Sequence, residues 1–122
     1  MTEAERRIVA IVDNDHAVRE SIRFLLEVTG YTVETFASAG EFLRANLERF
    51  VCLILDHLMP RMTGLELVEK LRAYGSTIPV LLITGSPSPI IVARAAELGI
   101  NQVLEKPFDD KDLLDFVNTH RS

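Results

Sequence analysis

Phe50-Val51-Cys52-Leu53-Ile54-Leu55-Asp56-His57-Leu58-Met59-Pro60-Arg61-Met62-Thr63-Gly64 joins an unbroken apolar run to one carboxylate and then to a loop marked by proline and glycine. Apolar residues without polar alternation read as a strand buried on both faces, as in a parallel sheet covered by helices. Asp56 therefore stands at the C-terminal edge of a strand. In open α/β sheets that edge collects ligands and chemistry, which makes this acid a functional candidate.

Outward from this stretch, strand-like runs recur at Ile8 to Val12, Tyr31 to Phe36, Val51 to Leu55, Val80 to Ile83 and Gln102 to Leu104. A helix-length amphipathic segment follows each, giving a five-fold βα alternation. The first helix, about Ala17 to Thr29, puts Val18, Ile22, Leu25 and Thr29 on one face, with Asp15 as N-cap and Gly30 as its stop. Ser38 with Glu41, and Thr63 with Glu66, have capping-box spacing at the starts of the second and third helices, and the third ends near Gly75. The fourth runs from Pro89 to before Gly99, and the fifth from about Asp110 to Thr119 behind Asp109.

The 122 residues fit one α/β domain spanning 1–122, with an ordered core of about 8–119 and no output domain. No apolar run approaches the length of a membrane span. The segment Met1-Thr2-Glu3-Ala4-Glu5-Arg6-Arg7 lacks the basic-then-apolar order of a secretory signal, so a cytoplasmic location is the expectation. A net charge of -5 lacks the basic footprint of a nucleic-acid binder, so no direct nucleic-acid contact is expected of this segment. Cys52, the single cysteine, lies within the buried run and reads as a small core hydrophobe.

Such an alternation gives a doubly wound parallel sheet with right-handed crossovers, a (βα)5 chain suited to the strand order 2-1-3-4-5. In that order the loops after the first and third strands meet at the topological switch point. Asp13 and Asn14 follow the first strand, Asp56 ends the third, Thr84 ends the fourth and Lys106 ends the fifth. One cleft would receive them all.

Asp13-Asn14-Asp15, Asp56-x-x-Met59-Pro60-x-x-Thr63-Gly64, Ile83-Thr84-Gly85 and Glu105-Lys106-Pro107-Phe108, in this order, resemble the response-regulator receiver domain of two-component signalling, with its flavodoxin-like fold. The resemblance covers essentially the whole chain. It implies that Asp56 is a phosphoacceptor served by a sensor histidine kinase or phosphotransfer protein, in a phosphorelay rather than a turnover enzyme. It also implies Mg²⁺ as cofactor, with Asp13, Asp56 and the backbone carbonyl of Leu58 as ligands. Thr84 and Lys106 are the implied phosphate-binding and switch residues, and the Lys106–Pro107 bond is implied to be cis. The chemistry suits the residue types: a carboxylate attacks an anionic phosphoryl group only when cations screen the repulsion, and Lys106 and the Thr84 hydroxyl can both donate to it. Ile-Thr-Gly and Glu-Lys-Pro-Phe look like receivers that precede a helix-turn-helix DNA-binding domain.

Two positions depart from the family pattern. Where the family carries a second metal-binding acid this chain has Asn14, and the lost charge forfeits on the order of 1 to 4 kcal/mol of attraction for the cation. Weakened rather than abolished metal binding is the expectation. Where the family carries an aromatic switch residue, this chain has Val103, which has no ring to swing. A signal would then travel through Thr84 and the fourth helix, past the stiff Ser86-Pro87-Ser88-Pro89 connection.

In the fourth helix, Val92, Ala93 and Ala96 are expected inside, leaving Ile91, Arg94 and Leu98 as a possible interface. The resemblance implies a homodimer through the fourth helix, fifth strand and fifth helix. His57 reads as a solvated bystander, and Met59 and Met62 as loop packing. Leu58 and Ser86 offer no acid or amide to orient water, which predicts a long-lived phosphate. The alternative function is a degenerate receiver, a protein-docking module with little or no phosphorylation control. An aspartyl phosphohydrolase is disfavoured because Leu58 stands where its second acid would be, and a flavodoxin because acids replace its hydroxyl-rich loop.

Overall fold

The computed structural model describes residues 8–121; the N-terminal reading of Met1 to Arg7 falls outside them. Five strands, β1 (Ile8–Val12), β2 (Thr32–Phe36), β3 (Phe50–Asp56), β4 (Val80–Thr84) and β5 (Gln102–Glu105), form one parallel sheet in the order β2-β1-β3-β4-β5. Helices α1 (His16–Val28), α2 (Ala39–Leu43), α3 (Gly64–Ala73), α4 (Pro89–Glu97) and α5 (Asp110–Thr119) connect them. This is the doubly wound order expected from the alternation together with the receiver resemblance.

Side chains along β3 alternate between two cores, because successive Cβ atoms point to opposite faces of a sheet. Leu53 and Leu55 meet Phe42, Leu67, Leu71 and Leu82 on one face, while Cys52 and Ile54 meet Ile22, Leu26, Leu81 and Leu113 on the other. Each such buried side chain contributes roughly 1.5–3 kcal/mol. Phe36, Phe42 and Phe50 close one end of the first core with ring centroids 5.3 to 5.7 Å apart.

The local signals place most boundaries. Asp15 caps α1 by accepting from the amides of Ala17 and Val18. Thr63 and Glu66 complete a capping box on α3, and the Thr63 amide holds the Glu66 carboxyl below its ordinary pKa. Helices α1, α3 and α4 give way to Gly30, Gly75 and Gly99 in positive φ, a C-terminal stop that suits glycine.

Three readings are corrected. The second helix is a single short turn, because Asn46 accepts the Glu48 amide and starts a separate 3-10 helix at Leu47–Arg49. In α1 the fully buried anchor is Leu26 beside Ile22, whereas Thr29 is exposed. Helix α4 is rotated from its expected setting: Ile91, Ala95 and Leu98 pack inward, while Ile90 is 80% and Val92 48% exposed. Ala93 and Ala96 also face solvent. The cause is the anchoring of both helix ends: Ser88 caps the start, and the Arg72 guanidinium of α3 donates to the carbonyls of Leu98 and Gly99 at its end. Of the three residues expected at an interface, Ile91 and Leu98 belong to the core. Arg94 is paired with Glu69 and Glu97, both at 2.9 Å.

Candidate functional site

Strand register builds the site. Val12 lies opposite Leu55, so Asp13 and Asp56 are the next residues out on neighbouring strands. Asp56 lies opposite Ile83, putting Thr84 one residue further along β4; Thr84 lies opposite Glu105, putting Lys106 just beyond β5. The His57 amide donates to the Ile83 carbonyl and the Lys106 amide to the Thr84 carbonyl, both at 2.9 Å, extending the ladder past the strand ends. Asp13, Asp56, Thr84 and Lys106 thus meet at one edge, as their spacing along the chain requires.

Asp13, Asp56 and Thr84 are the buried polar residues among those described, at 3%, 5% and 4% exposure. Lys106 Nζ approaches Asp56 Oδ1 to 3.0 Å as an ion pair, and no other donor reaches this buried oxygen. Close charge contact and unused lone pairs are compatible. Burial pushes the Asp13 carboxyl above its ordinary pKa and the Asp56 charge adds to this, while the Asp15 amide and Lys106 oppose it. The Asp15 amide donates to Asp13 Oδ1 at 2.8 Å. Thr84 Oγ1 accepts the Ser86 amide at 3.2 Å, which leaves its hydroxyl proton available to donate. The Lys106–Pro107 bond is cis.

Two buried carboxylates, one with an unspent oxygen, suit a hard cation such as Mg²⁺, which takes oxygen ligands. Among the described residues no three His, Cys, Asp or Glu side chains gather in metal-holding geometry. Two carboxylates and neutral oxygens are therefore what this cleft offers, with Asn14 exposed at its margin. The Leu58 side chain is 77% exposed and contributes no ligand atom, leaving its carbonyl. Val103 is half-buried against the core through a small branched side chain.

His57 is half-buried rather than solvated, with Nδ1 enclosed and without a hydrogen-bond partner. Met59 is buried and Met62 half-buried, both as packing. Three residues have roles at the site that the sequence reading did not assign. Arg19, one turn into α1, donates from Nη1 to the Asp13 carbonyl at 2.6 Å and ties the helix to the acid's own backbone. Gly64 has no room for a side chain: a Cβ there would lie 2.8 Å from the Asp56 carbonyl oxygen and 2.9 Å from His57 Cα. Arg61 carries a positive φ of 69°, rare for a residue with a side chain. The Gly64 spacing was visible in the motif; nothing in the sequence marked the other two.

A 2-1-3-4-5 parallel sheet that brings two acids, a hydroxyl and a lysine to its switch point defines the receiver class of two-component response regulators. The chain belongs to that family: the response regulator receiver domain model matches residues 9–118. The transcriptional regulatory protein FixJ of Azorhizobium caulinodans is 42% identical over 108 residues, covering 87% of this chain and 51% of that protein. The response regulator protein TodT of Pseudomonas putida is 36% identical over 108 residues, covering 88% of this chain and 48% of that one. The chain thus spans about half the length of these curated relatives. Among solved structures, response regulator StyR superposes with a TM-score of 0.86 at 40% identity, covering 93% of this chain and 58% of that one. FixJ-N gives 0.84 at 31% identity, covering 93% and 92%.

Proposed function

We propose that Asp56 is the phosphoacceptor of a two-component pathway, receiving its phosphoryl group from the phosphohistidine of a sensor kinase or phosphotransfer protein. The observation that carries this is the buried Asp56 Oδ1, which no donor but Lys106 Nζ, at 3.0 Å, approaches. In the transfer, Asp56 attacks phosphorus, the P–N bond breaks and its electron pair stays on the donor imidazole. Lys106 draws charge from the transferred group, and the Thr84 hydroxyl donates to one of its oxygens. Asp13, Asp56, the Leu58 carbonyl and, more weakly, Asn14 would hold Mg²⁺, which when bound screens the repulsion between carboxylate and phosphoryl group. Arg19 and the Asp15 amide keep Asp13 aimed at that position.

Relatives described as transcriptional regulators support an output in gene control, with any DNA contact made outside this segment. The acidic balance supports that division of labour. A cytoplasmic location belongs to the same proposal; no helix among the described residues is long and apolar enough to cross a membrane. A homodimer through α4, β5 and α5 would use the exposed Ile90 and Val92 in place of Ile91 and Leu98.

Magnesium-dependent labelling with a small acyl phosphate tests the assignment. The native chain should acquire one phosphoryl group, lost in Asp56→Asn, and should keep it for minutes or longer. A native chain that stays unlabelled at millimolar Mg²⁺ while Asn14→Asp is labelled would establish the docking-module reading instead, which Asn14 and Val103 favour.

A further inference from the structure

Beside the acidic cleft a second concavity opens between the β1–α1 turn, the start of α2 and the loop after β3. It encloses about 500 Å³, lined among others by Asn14, Ser38, Arg44, Met59, Arg61 and Met62. Asp13 and Asp56 take no part in its walls. That volume lies within the range of small-molecule sites.

Its two cations are the informative feature. The chain carries a net charge of -5, and ion pairs engage Arg23, Arg49 and Arg94, yet neither Arg44 nor Arg61 forms one among the described residues. Neither guanidinium has a hydrogen-bond partner within the described chain to satisfy its donors, and both are exposed. Arg44 folds back over α2, its Nη1 passing within 3.7 Å of where a Cβ on Gly40 would sit. Arg61 is held by a γ-turn, in which the Met62 amide donates to the Pro60 carbonyl at 2.8 Å and Arg61 adopts φ 69°. A side chain in that conformation is strained, a strain glycine would avoid. The same lining includes the apolar side chains of Met59 and Met62 and the polar Asn14 amide and Ser38 hydroxyl.

We infer that this groove binds a small organic anion, its phosphate or carboxylate head held between Arg44 and Arg61 and its apolar body laid against Met59 and Met62. Guanidinium groups bind both heads through paired donors, and the unspent donors of two arginines lining one groove supply them. The groove shares Asn14 with the margin of the acidic cleft but takes no wall from Asp13 or Asp56.

Titration of the isotope-labelled chain with phenyl phosphate, inorganic phosphate and benzoate, followed by amide and arginine Nε NMR shifts, tests it. Phenyl phosphate should give saturable shifts at Gly40, Arg61 and Met62 with a dissociation constant on the order of 1 mM, tighter than inorganic phosphate. Arg44→Gln and Arg61→Gln should each weaken it about tenfold, the worth of one charge-assisted contact. Their unfolding midpoints should match the native chain, because both side chains are exposed and unpaired. Benzoate binding as tightly as phenyl phosphate assigns the groove to carboxylates, and silence from benzoate assigns it to phosphate esters. Shifts confined to Thr84 and Lys106, or equal affinity in both variants, overturn the inference.

Discussion

Lys106 Nζ stands 3.0 Å from Asp56 Oδ1, spanning from the end of β5 to the end of β3 across the intervening strand β4. This contact partly neutralises a pocket that also buries Asp13. Lys106→Gln leaves two buried carboxylates facing each other without a cation. In metal-free buffer it should lower stability by about 1 kcal/mol, a figure held down because Lys106 is itself 38% exposed. Urea unfolding of both proteins in EDTA measures the difference.

Magnesium should raise the melting temperature of the native chain, because a ligand held only by the folded state stabilises it by mass action. Asn14→Asp restores one charge at the cleft's margin and should tighten binding by about tenfold, equivalent to about 1.4 kcal/mol. Melts at a series of Mg²⁺ concentrations should show the variant's rise beginning at the lower concentration. EDTA should abolish both rises.

Gly64→Ala would force a Cβ into backbone at 2.8 and 2.9 Å, contacts that no side-chain rotation relieves. The expected cost is about 1–3 kcal/mol, and the Asp56–His57 backbone must shift. A lower urea midpoint together with slower labelling of Asp56 by an acyl phosphate would register both effects. An unchanged midpoint would contradict the crowding.

Arg61→Gly should act in the opposite direction. Relief of the left-handed conformation is worth up to about 1 kcal/mol, offset in part by the greater entropy of glycine in the unfolded chain. Arg61→Ala keeps the backbone strain and should not share the gain. Thermal melts of the two variants separate backbone from side chain.

The Cys52 thiol is fully buried within β3, and burial pushes its pKa up to about 12. The thiolate is the reactive form, so the folded chain should resist iodoacetamide at pH 8 and react fully in urea. Modification rates under native and denaturing conditions decide this directly.

The strands and helices were legible in the chain because each follows from a repeating local signal, while the order of the sheet, and with it the meeting of Asp13, Asp56, Thr84 and Lys106, came as much from the receiver resemblance. Apolar runs set the strands, capping residues and glycines set the helix ends, and the strand order carries four loop residues to one edge. Phase around a helix was not legible in α4. With apolar residues at Ile90, Ile91, Val92, Ala93, Ala95, Ala96 and Leu98, periodicity admits several inward faces. Only the Ser88 cap and the Arg72 contacts with Leu98 and Gly99 select the one that buries Ile91 and Leu98. Likewise Asn14 announced a missing charge, but the orphaned Asp56 Oδ1, the Arg19 tie to Asp13 and the unpaired Arg44 and Arg61 depend on where long side chains end. Local preference determines elements and their order; the end point of a flexible side chain is decided by groups distant in sequence, which only the folded packing brings within reach.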